Sequence, residues 1–107
     1  MKCPTHKTAM HQTSTRYGLL WKCPVNGCTV RCWDGPTSTP GDDETRAARH
    51  ACHQAFDPLW KTKSHFQKRR DAYGWLMKVM KVRDTEAHIG MFSKEQCAEL
   101  LEKIKQL

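Results

Sequence analysis

The sequence predicts an α+β fold in which a small N-terminal β-hairpin packs on a C-terminal region of three or four helices. A Cys-His pair and a cysteine pair flank a segment over residues 8–21 that mixes Thr, Tyr, Leu and Trp around a glycine, as two short strands of a hairpin do. A turn-rich stretch follows at 35–41, and helical periodicity fills the remainder. We expect a knuckle over residues 1–34, a connector over 35–41 and a helical region over 42–107, together forming one compact domain.

The first predicted helix follows the connector and continues to about Phe56. Asp42 or Asp43 can cap it, because an aspartate side chain accepts hydrogen bonds from the free N–H groups of the first turn. Asp57-Pro58 should then interrupt it, since the residue before a proline is disfavoured in the α region. One side of this helix should carry Ala47, His50 or Ala51, and Gln54 or Ala55.

A second long helix is predicted from Ser64 to about Val82. Ser64 and Gln67 have the spacing of a capping box, in which the two side chains satisfy free N–H groups at the helix start. Its apolar positions recur at helical intervals at Phe66, Tyr73, Leu76, Met77 and Met80. Its basic residues fall largely on the other faces.

A short helical turn is expected from Thr85 to Ile89, with Gly90 as its C-cap. Ser93 and Gln96 form a second capping-box pattern, which should begin a final amphipathic helix. The apolar stripe of that helix consists of Cys97, Leu100, Leu101, Ile104 and Leu107.

Composition limits the class of protein. The chain has 107 residues, 38% of them hydrophobic and 27% charged, and its mean hydropathy is −0.75. Four Trp argue against a wholly disordered chain, and the apolar runs are too short for a transmembrane helix. Because the N-terminus lacks the apolar core of a secretion signal, we expect a cytoplasmic protein whose six cysteines are reduced thiols or metal ligands.

The net charge of +7 is concentrated in two parts of the chain. Residues 1–34 carry a net +4 and residues 61–83 a net +7, whereas residues 35–60 and 84–107 each carry −2. Such basic segments attract phosphate groups, although a solvated helix face would show the same pattern.

Two ligand pairs stand at the ends of the predicted hairpin. Cys3 and His6 precede it with two residues between them, and Cys23 and Cys28 follow it with four between them. Because a hairpin returns its ends to one place, the two pairs can converge on one tetrahedral Zn²⁺ ion. The N-terminal unit is therefore predicted to be a zinc knuckle or ribbon, with one structural zinc and no open coordination position for catalysis.

The second pair is spaced more widely than the usual two residues. Cys32, nine residues after Cys23, and His11 are therefore alternatives for completing the site. Reduced, partly buried thiols without a metal are the other interpretation.

Several strings of the sequence resemble one family. They are the Cys-Pro start, a second cysteine pair before an arginine-rich helix, His53–Lys61 with its Phe-Asp-Pro-Leu-Trp core, Tyr73–Leu76, and Glu86–Phe92 with His-Ile-Gly-Met-Phe. The chain resembles the small zinc-finger-containing domain family of bacteriophages and prophages along nearly its whole length. Members of that family usually carry Cys where His6 stands and a two-residue gap in the second pair. The resemblance implies a phage origin and a zinc site, but no substrate.

Other histidines, aromatic residues and thiols have two interpretations each. His50, His53 and His88, with Asp57, could form a second metal site or a nuclease centre, but no paired carboxylates accompany them, so we expect a packing role and no enzyme activity. Trp60 and Trp75 should anchor the core, whereas Trp21 and Trp33 should either pack under the knuckle or contact a ligand. Cys52 and Cys97 should be buried thiols.

These patterns predict a nucleic-acid-binding zinc module of low sequence specificity, monomeric and without a membrane partner. The residues expected to contact phosphates are Lys22, Arg31, Lys61, Lys63, Lys68, Arg69, Arg70, Lys78, Lys81 and Arg83. The alternative is a module that binds or modulates a protein of the bacterial host, and a small nuclease is a third hypothesis.

Overall fold

The first third of the chain forms a three-stranded antiparallel sheet, and the rest is helical. The computed structural model describes residues 1–107. The elements in chain order are β1 (His11–Thr15), β2 (Gly18–Lys22), β3 (Arg31–Trp33), α1 (Asp43–Phe56), α2 (Pro58–Lys61), α3 (Arg69–Met80), two 3₁₀ turns (Asp84–Glu86 and Ile89–Met91) and α4 (Lys94–Lys105). The predicted α+β class is confirmed. No helix has the length and apolar character required to cross a bilayer.

The predicted hairpin is present as β1 and β2, and a third strand joins it. β1 pairs with β2 from His11↔Lys22 to Thr15↔Gly18. β3 then pairs antiparallel with β2 and was not expected from the sequence. It has three residues, of which one is buried, and such a short segment carries no readable alternation.

Helix α1 begins where the sequence predicts, but its buried side differs. The Asp42 carboxylate accepts a hydrogen bond from the Thr45 backbone N–H at 2.8 Å. The buried residues are Arg49, Cys52 and Phe56 rather than the expected side with Ala47. Asp57 keeps α-helical dihedral angles, so the expected departure from the α region before proline is wrong. The helix ends there because Pro58 has no N–H to continue the hydrogen-bond ladder, and α2 follows at once.

Helix α3 begins five residues later than predicted, and Ser64 does not cap it. The backbone N–H groups of His65 and Phe66 both donate to the Leu59 carbonyl, which folds this segment back on α2. Lys68 occupies the N-cap position without a side-chain hydrogen bond. The predicted capping box therefore does not form, because backbone hydrogen bonds to the preceding helix determine the conformation of this segment.

Two 3₁₀ turns replace the single turn expected at Thr85–Ile89, and Gly90 is not a C-cap. Gly90 lies inside the second turn, and its carbonyl accepts a hydrogen bond from the Thr39 N–H at 3.1 Å. A Cβ at Gly90 would lie 2.7 Å from the Thr37 carbonyl oxygen. Glycine is required because the connector backbone approaches closely, not because a helix ends.

Helix α4 has the predicted capping box. The Ser93 hydroxyl accepts from the Gln96 N–H, and the Gln96 side chain accepts from the Ser93 N–H. Cys97 and Leu100 are buried, while Leu107 at the end of the predicted stripe is exposed. The apolar stripe thus places α4 against the helical core.

The buried apolar side chains form two separate clusters. Eleven residues from the helical region form the larger one, and it contains both Cys52 and Cys97, as predicted. Trp60 and Trp75 pack against it partly buried, which confirms their expected anchoring role. The smaller cluster lies in the N-terminal unit and consists of Cys3, Met10, Cys23, Val30 and Cys32.

Arginine side chains of α1 join the helical region to the rest of the chain. The Arg46 guanidinium donates to the Thr29 carbonyl at 2.9 Å, between the knuckle and β3. Arg49 donates to the Thr39 carbonyl at 2.8 Å and to the Phe92 carbonyl at 2.7 Å. These polar contacts connect the N-terminal unit, the connector and the start of α4 to one helix.

Candidate metal centre

Four side chains converge beside the sheet from two turns of the chain. Cys3 and His6 lie in the turn before β1, Cys23 follows β2 directly, and Cys28 precedes β3. Their ligand atoms all lie within 4.8 Å of one another. The closed hairpin brings the two pairs together, as the sequence argument requires.

The distances match tetrahedral coordination. Ligands placed tetrahedrally at about 2.3 Å for sulfur and about 2.05 Å for nitrogen lie about 3.8 Å apart for two sulfurs and about 3.6 Å apart for sulfur and nitrogen. Cys3 Sγ lies 3.8 Å from Cys28 Sγ and 3.7 Å from His6 Nδ1. Cys23 Sγ lies 3.6 Å from His6 Nδ1. Three of the six ligand–ligand distances therefore match one tetrahedral zinc ion, and all four ligand atoms lie within 4.8 Å of one another.

Left-handed residues shape both ligand turns. Lys7, directly after His6, has φ 59°, and its N–H donates to the Cys3 carbonyl at 2.8 Å. In the second turn Gly27 has φ 82°, and the Cys28 N–H donates to the Val25 carbonyl at 3.0 Å. Glycine adopts this conformation without steric cost. It lets the longer second turn bring its last cysteine back to the cluster.

The electrostatics of the cluster favour a bound cation. Burial opposes ionisation of Cys3, but hydrogen bonds from His6, Thr5 and Cys23 together outweigh it and lower the pKa of Cys3 to about 6. Burial raises the pKa of Cys23, and the neighbouring Cys28 and Cys3 thiols raise it further. Adjacent thiolates repel one another unless a cation lies between them, and Zn²⁺ supplies that charge.

The alternative ligands lie outside the four-residue cluster. The Cys32 thiol donates to the Trp33 carbonyl at 3.2 Å and lies 3.6 Å from the Ser38 hydroxyl. His11 is exposed at the start of β1. Cys32 packs in the same buried apolar cluster as Cys3 and Cys23, but its thiol is not among the four ligand atoms that lie within 4.8 Å of one another.

Comparison with known families now identifies the chain. A family profile described as a zinc-finger-containing domain matches residues 5–107. The chain belongs to this family. No curated protein and no solved structure matches it. Together with the four-residue cluster, membership of the zinc-finger-containing family indicates one structural zinc ion. Cys3, His6, Cys23 and Cys28 would hold that ion, and a site filled by four protein ligands leaves no open position.

The histidines outside the metal cluster that were named from the sequence lie in two separate places. His53 Nδ1 lies 3.7 Å from Asp57 Oδ2, one turn further along the chain. His50 and His53 line a cleft beside the sheet, whereas His88 lines a separate depression with Arg69. The structure therefore does not bring His53 and His88 together.

The basic residues named from the sequence are all exposed. Lys22 and Arg31 are cross-strand partners of β2 and β3. The others follow one another from α2 to the end of α3 and just beyond it, and they are Lys61, Lys63, Lys68, Arg69, Arg70, Lys78, Lys81 and Arg83. The cations thus form one small group on the sheet and a larger one on the helical region.

The two tryptophans of the N-terminal unit differ in exposure. Trp21 is half-buried, and its indole N–H donates to Asp34 Oδ1 at 3.0 Å. Trp33 is 44% exposed, which makes it the more accessible contact surface.

Sequence reasoning overlooked Arg46 and Arg49. They line the same cleft as His50, His53 and Trp33. A signal for them was available, because residues 46, 49, 50 and 53 share one face of a helix and all four are basic or imidazole side chains.

Proposed function

We propose that this zinc-finger protein binds nucleic acid with low sequence specificity, through exposed basic side chains that the zinc knuckle and α3 present. The supporting observation is the large excess of exposed cations over residues 61–83. Residues 61–83 contain eight Lys and Arg side chains and one acidic residue. Because the sequence resembles a family of bacteriophages and prophages, we propose that this activity serves phage or prophage biology.

Few of these cations are neutralised within the protein. Lys61, Arg70 and Arg83 form ion pairs with Asp57, Asp71 and Glu86, at 3.9, 3.8 and 3.0 Å. The remaining five cations have no carboxylate partner, and they are Lys63, Lys68, Arg69, Lys78 and Lys81. Exposed cations of this kind contact phosphates by displacing condensed counterions.

Two of the cations share one side of α3, and a third caps its C-terminal end. Arg70, Gly74 and Lys78 recur every four residues, so they lie on successive turns of one side of the helix, and Lys81 follows as its left-handed C-cap. Nothing lies within 4 Å of the position that a Gly74 side chain would occupy. Arg70 and Lys78 are separated by about 12 Å along the axis, which spans three to four phosphates at about 3.4 Å per nucleotide of one strand.

The same helix offers little for reading bases. No Asn or Gln occurs between Arg69 and Met80, and these are the side chains that recognise adenine in pairs of hydrogen bonds. Arg69 lies over the Tyr73 ring, 4.5 Å from its centroid, and 5.8 Å from the Trp60 ring centroid. Phosphate contacts without base contacts produce binding that depends weakly on sequence.

Fluorescence anisotropy with a labelled DNA duplex, measured between about 50 and 200 mM salt, tests the proposal. The K68Q/K78Q/K81Q variant removes three unpaired cations and should reduce the slope of log K against log salt by about 2.7. The matched control is K94Q/K105Q, which removes two cations that are ion-paired with Glu44 and Glu102. If both variants bind like the unmodified protein, the α3 cations do not carry binding.

A host-protein partner is the second candidate, and exposed apolar side chains of the N-terminal unit favour it. Tyr17 is 75% exposed, Leu19 42% and Trp33 44%. Aromatic side chains of this kind often anchor protein interfaces. Capture of partners from a bacterial lysate with and without nuclease separates the candidates, because a protein partner bound directly survives nuclease treatment.

The proposal includes no catalytic role, a monomeric state and no membrane partner. A histidine nuclease would need His53 and His88 at one centre, and they line separate clefts. None of the six cysteines forms a disulfide, which suits the reducing cytoplasm of a bacterial host. Absence of divalent-dependent cleavage, or cleavage unaffected by H53A, would argue against the nuclease hypothesis.

A further inference from the structure

A cleft of about 450 Å³ lies between the sheet and α1, away from the zinc ligands. Its size falls in the range of small-molecule sites, about 300–1,000 Å³. No carboxylate lines it. Its cationic, imidazole and aromatic side chains are Arg31, Trp33, Arg46, Arg49, His50 and His53.

The arrangement follows from two regular elements. Residues 46, 49, 50 and 53 share one face of α1, because they are spaced by three and four positions. Arg31 and Trp33 share one face of β3, because alternate residues of a strand point the same way. The antiparallel bridge between Arg31 and Gly41 holds β3 near the start of α1. Two rigid elements therefore turn cationic and aromatic groups toward one space.

The arginines of this cleft form no ion pair, and Asp42 is a nearby carboxylate that acts on Arg46 and Arg49 only at longer range. Arg49 is 92% buried, and it donates to the Thr39 and Phe92 carbonyls and to the Thr39 hydroxyl, none of which is charged. Neither Arg46 nor Arg31 forms an ion pair. A buried guanidinium without an anionic partner is unusual, since desolvation of an unpaired charge is expensive. Burial indeed lowers the pKa of Arg49.

Donor groups remain free for an incoming anion. Arg46 uses its Nε–H for the Gly41 carbonyl and one Nη2–H for the Thr29 carbonyl, so three of its five N–H groups have no protein acceptor. Arg31 is exposed, and its side chain makes no hydrogen bond within the protein. A guanidinium pairs well with phosphate, because its parallel N–H groups contact two oxygens at once.

One wall of the cleft suits a flat ring. Trp33 and its cross-strand partner Leu20 both line it, and Trp33 is 44% exposed. Stacking of a base on an aromatic side chain is tolerant of base identity and contributes measurable affinity. An aromatic group and a phosphate separated by a sugar is the chemistry of a nucleotide.

We propose that this cleft binds a nucleotide, with its phosphate on Arg31 and Arg46 and its base against Trp33. A nucleotide is preferred to other aromatic phosphates because the proposal rests on the nucleic-acid function given above. The nucleotide has two possible sources: a free mononucleotide, or an unstacked nucleotide of a nucleic-acid strand.

Isothermal titration with adenosine 5′-monophosphate tests the site. We expect one binding event per chain, and weaker binding of adenosine and of inorganic phosphate, each of which has half of the recognition chemistry. R31Q should weaken binding about tenfold, the loss expected for one charged hydrogen-bonding group. W33L should also weaken binding, and K105Q is the control that should leave it unchanged, because Lys105 pairs with Glu102 and does not line the cleft. R46Q should weaken nucleotide binding more than R31Q does. Because Arg46 also donates to the Gly41 and Thr29 carbonyls, circular dichroism is needed to confirm that this variant folds.

No heat of binding at millimolar nucleotide, or equal affinity of R31Q, W33L and the unmodified protein, would overturn the proposal. A short single-stranded oligonucleotide that competes with the mononucleotide identifies a strand as the source, and lack of competition identifies a free nucleotide. The K68Q/K78Q/K81Q variant separates failure of the nucleotide-site proposal from failure of the proposed duplex binding by α3. It should bind the duplex more weakly and retain mononucleotide binding, because none of its three positions lines the cleft.

Discussion

Removal of zinc should unfold the N-terminal sheet and leave the helical core folded. The smaller hydrophobic cluster has five buried residues, and three of them are cysteines, two of which are zinc ligands. Met10 and Val30 are its only other members. The larger cluster contains no residue of the zinc site. The structure therefore links metal binding to one part of the chain.

The magnitudes indicate that the metal dominates in that part. Burial of Met10 and Val30 contributes about 1.5–3 kcal/mol each. A structural zinc site contributes about 10–16 kcal/mol near neutral pH. Without zinc, the sheet keeps only the smaller of these two contributions. The helical core retains Phe56, Leu76 and Leu100, which are fully buried and independent of the metal.

Amide hydrogen exchange with and without a strong chelator measures the effect. Amides of β1, β2 and β3 should lose protection, while those of α1, α3 and α4 keep it and the helical circular dichroism signal stays close to its starting value. C28S should behave like the chelated protein. C32S is the matched control, because Cys32 is a buried thiol that is not one of the four zinc ligands, and the variant should still respond to zinc.

Either of two results would refute this reasoning. Strand amides that stay protected after chelation would show that the small apolar cluster suffices without metal. Loss of protection in strands and helices at the same chelator concentration would show that the two clusters fold as one unit.

Two further perturbations probe the helical region. The pKa of Asp42 lies below its ordinary value of 3.8, because the Thr45 N–H and hydroxyl donate to the carboxylate. Its capping contribution is therefore present above pH 3.8 and lost as the pH falls through the lower folded-state pKa. The D42A variant should be less stable by about 1 kcal/mol at pH 7, with a smaller difference at pH 3, in thermal melts that follow the helical signal; an equal difference at both pH values would contradict this. G90A should lower stability by about 1–3 kcal/mol, because its Cβ would lie 2.7 Å from the Thr37 carbonyl oxygen. G74A, with nothing within 4 Å, should be neutral or stabilising, and a similar loss in both glycine variants would disprove the steric explanation.

Local patterns in the sequence predicted several elements well. Asp42 caps α1, and Ser93 with Gln96 caps α4, because these interactions join residues three positions apart. The cysteine and histidine spacing predicted the cluster that the structure brings together, because a hairpin has few ways to return its ends. Each of these features depends on a short stretch of chain.

Long-range contacts account for what the patterns missed. The Ser64 capping box does not form, because the segment donates its backbone N–H groups to Leu59. Gly90 looked like a helix end, but the connector that packs against it is more than fifty residues earlier in the chain. β3 is recognisable only through its pairing with β2.

The choice between Cys28 and Cys32 as the fourth ligand depends on both the sequence spacing and the tertiary structure. Spacing along the chain limits the fourth ligand to a few candidates, since a turn of several residues can aim its thiol in more than one direction. The tertiary structure then places the Cys32 thiol near the Ser38 hydroxyl and the Cys28 thiol beside that of Cys3. The cleft between β3 and α1 belongs wholly to the folded state, because Arg31 and Arg46 become neighbours of one cavity only after the connector has brought a strand and a helix together.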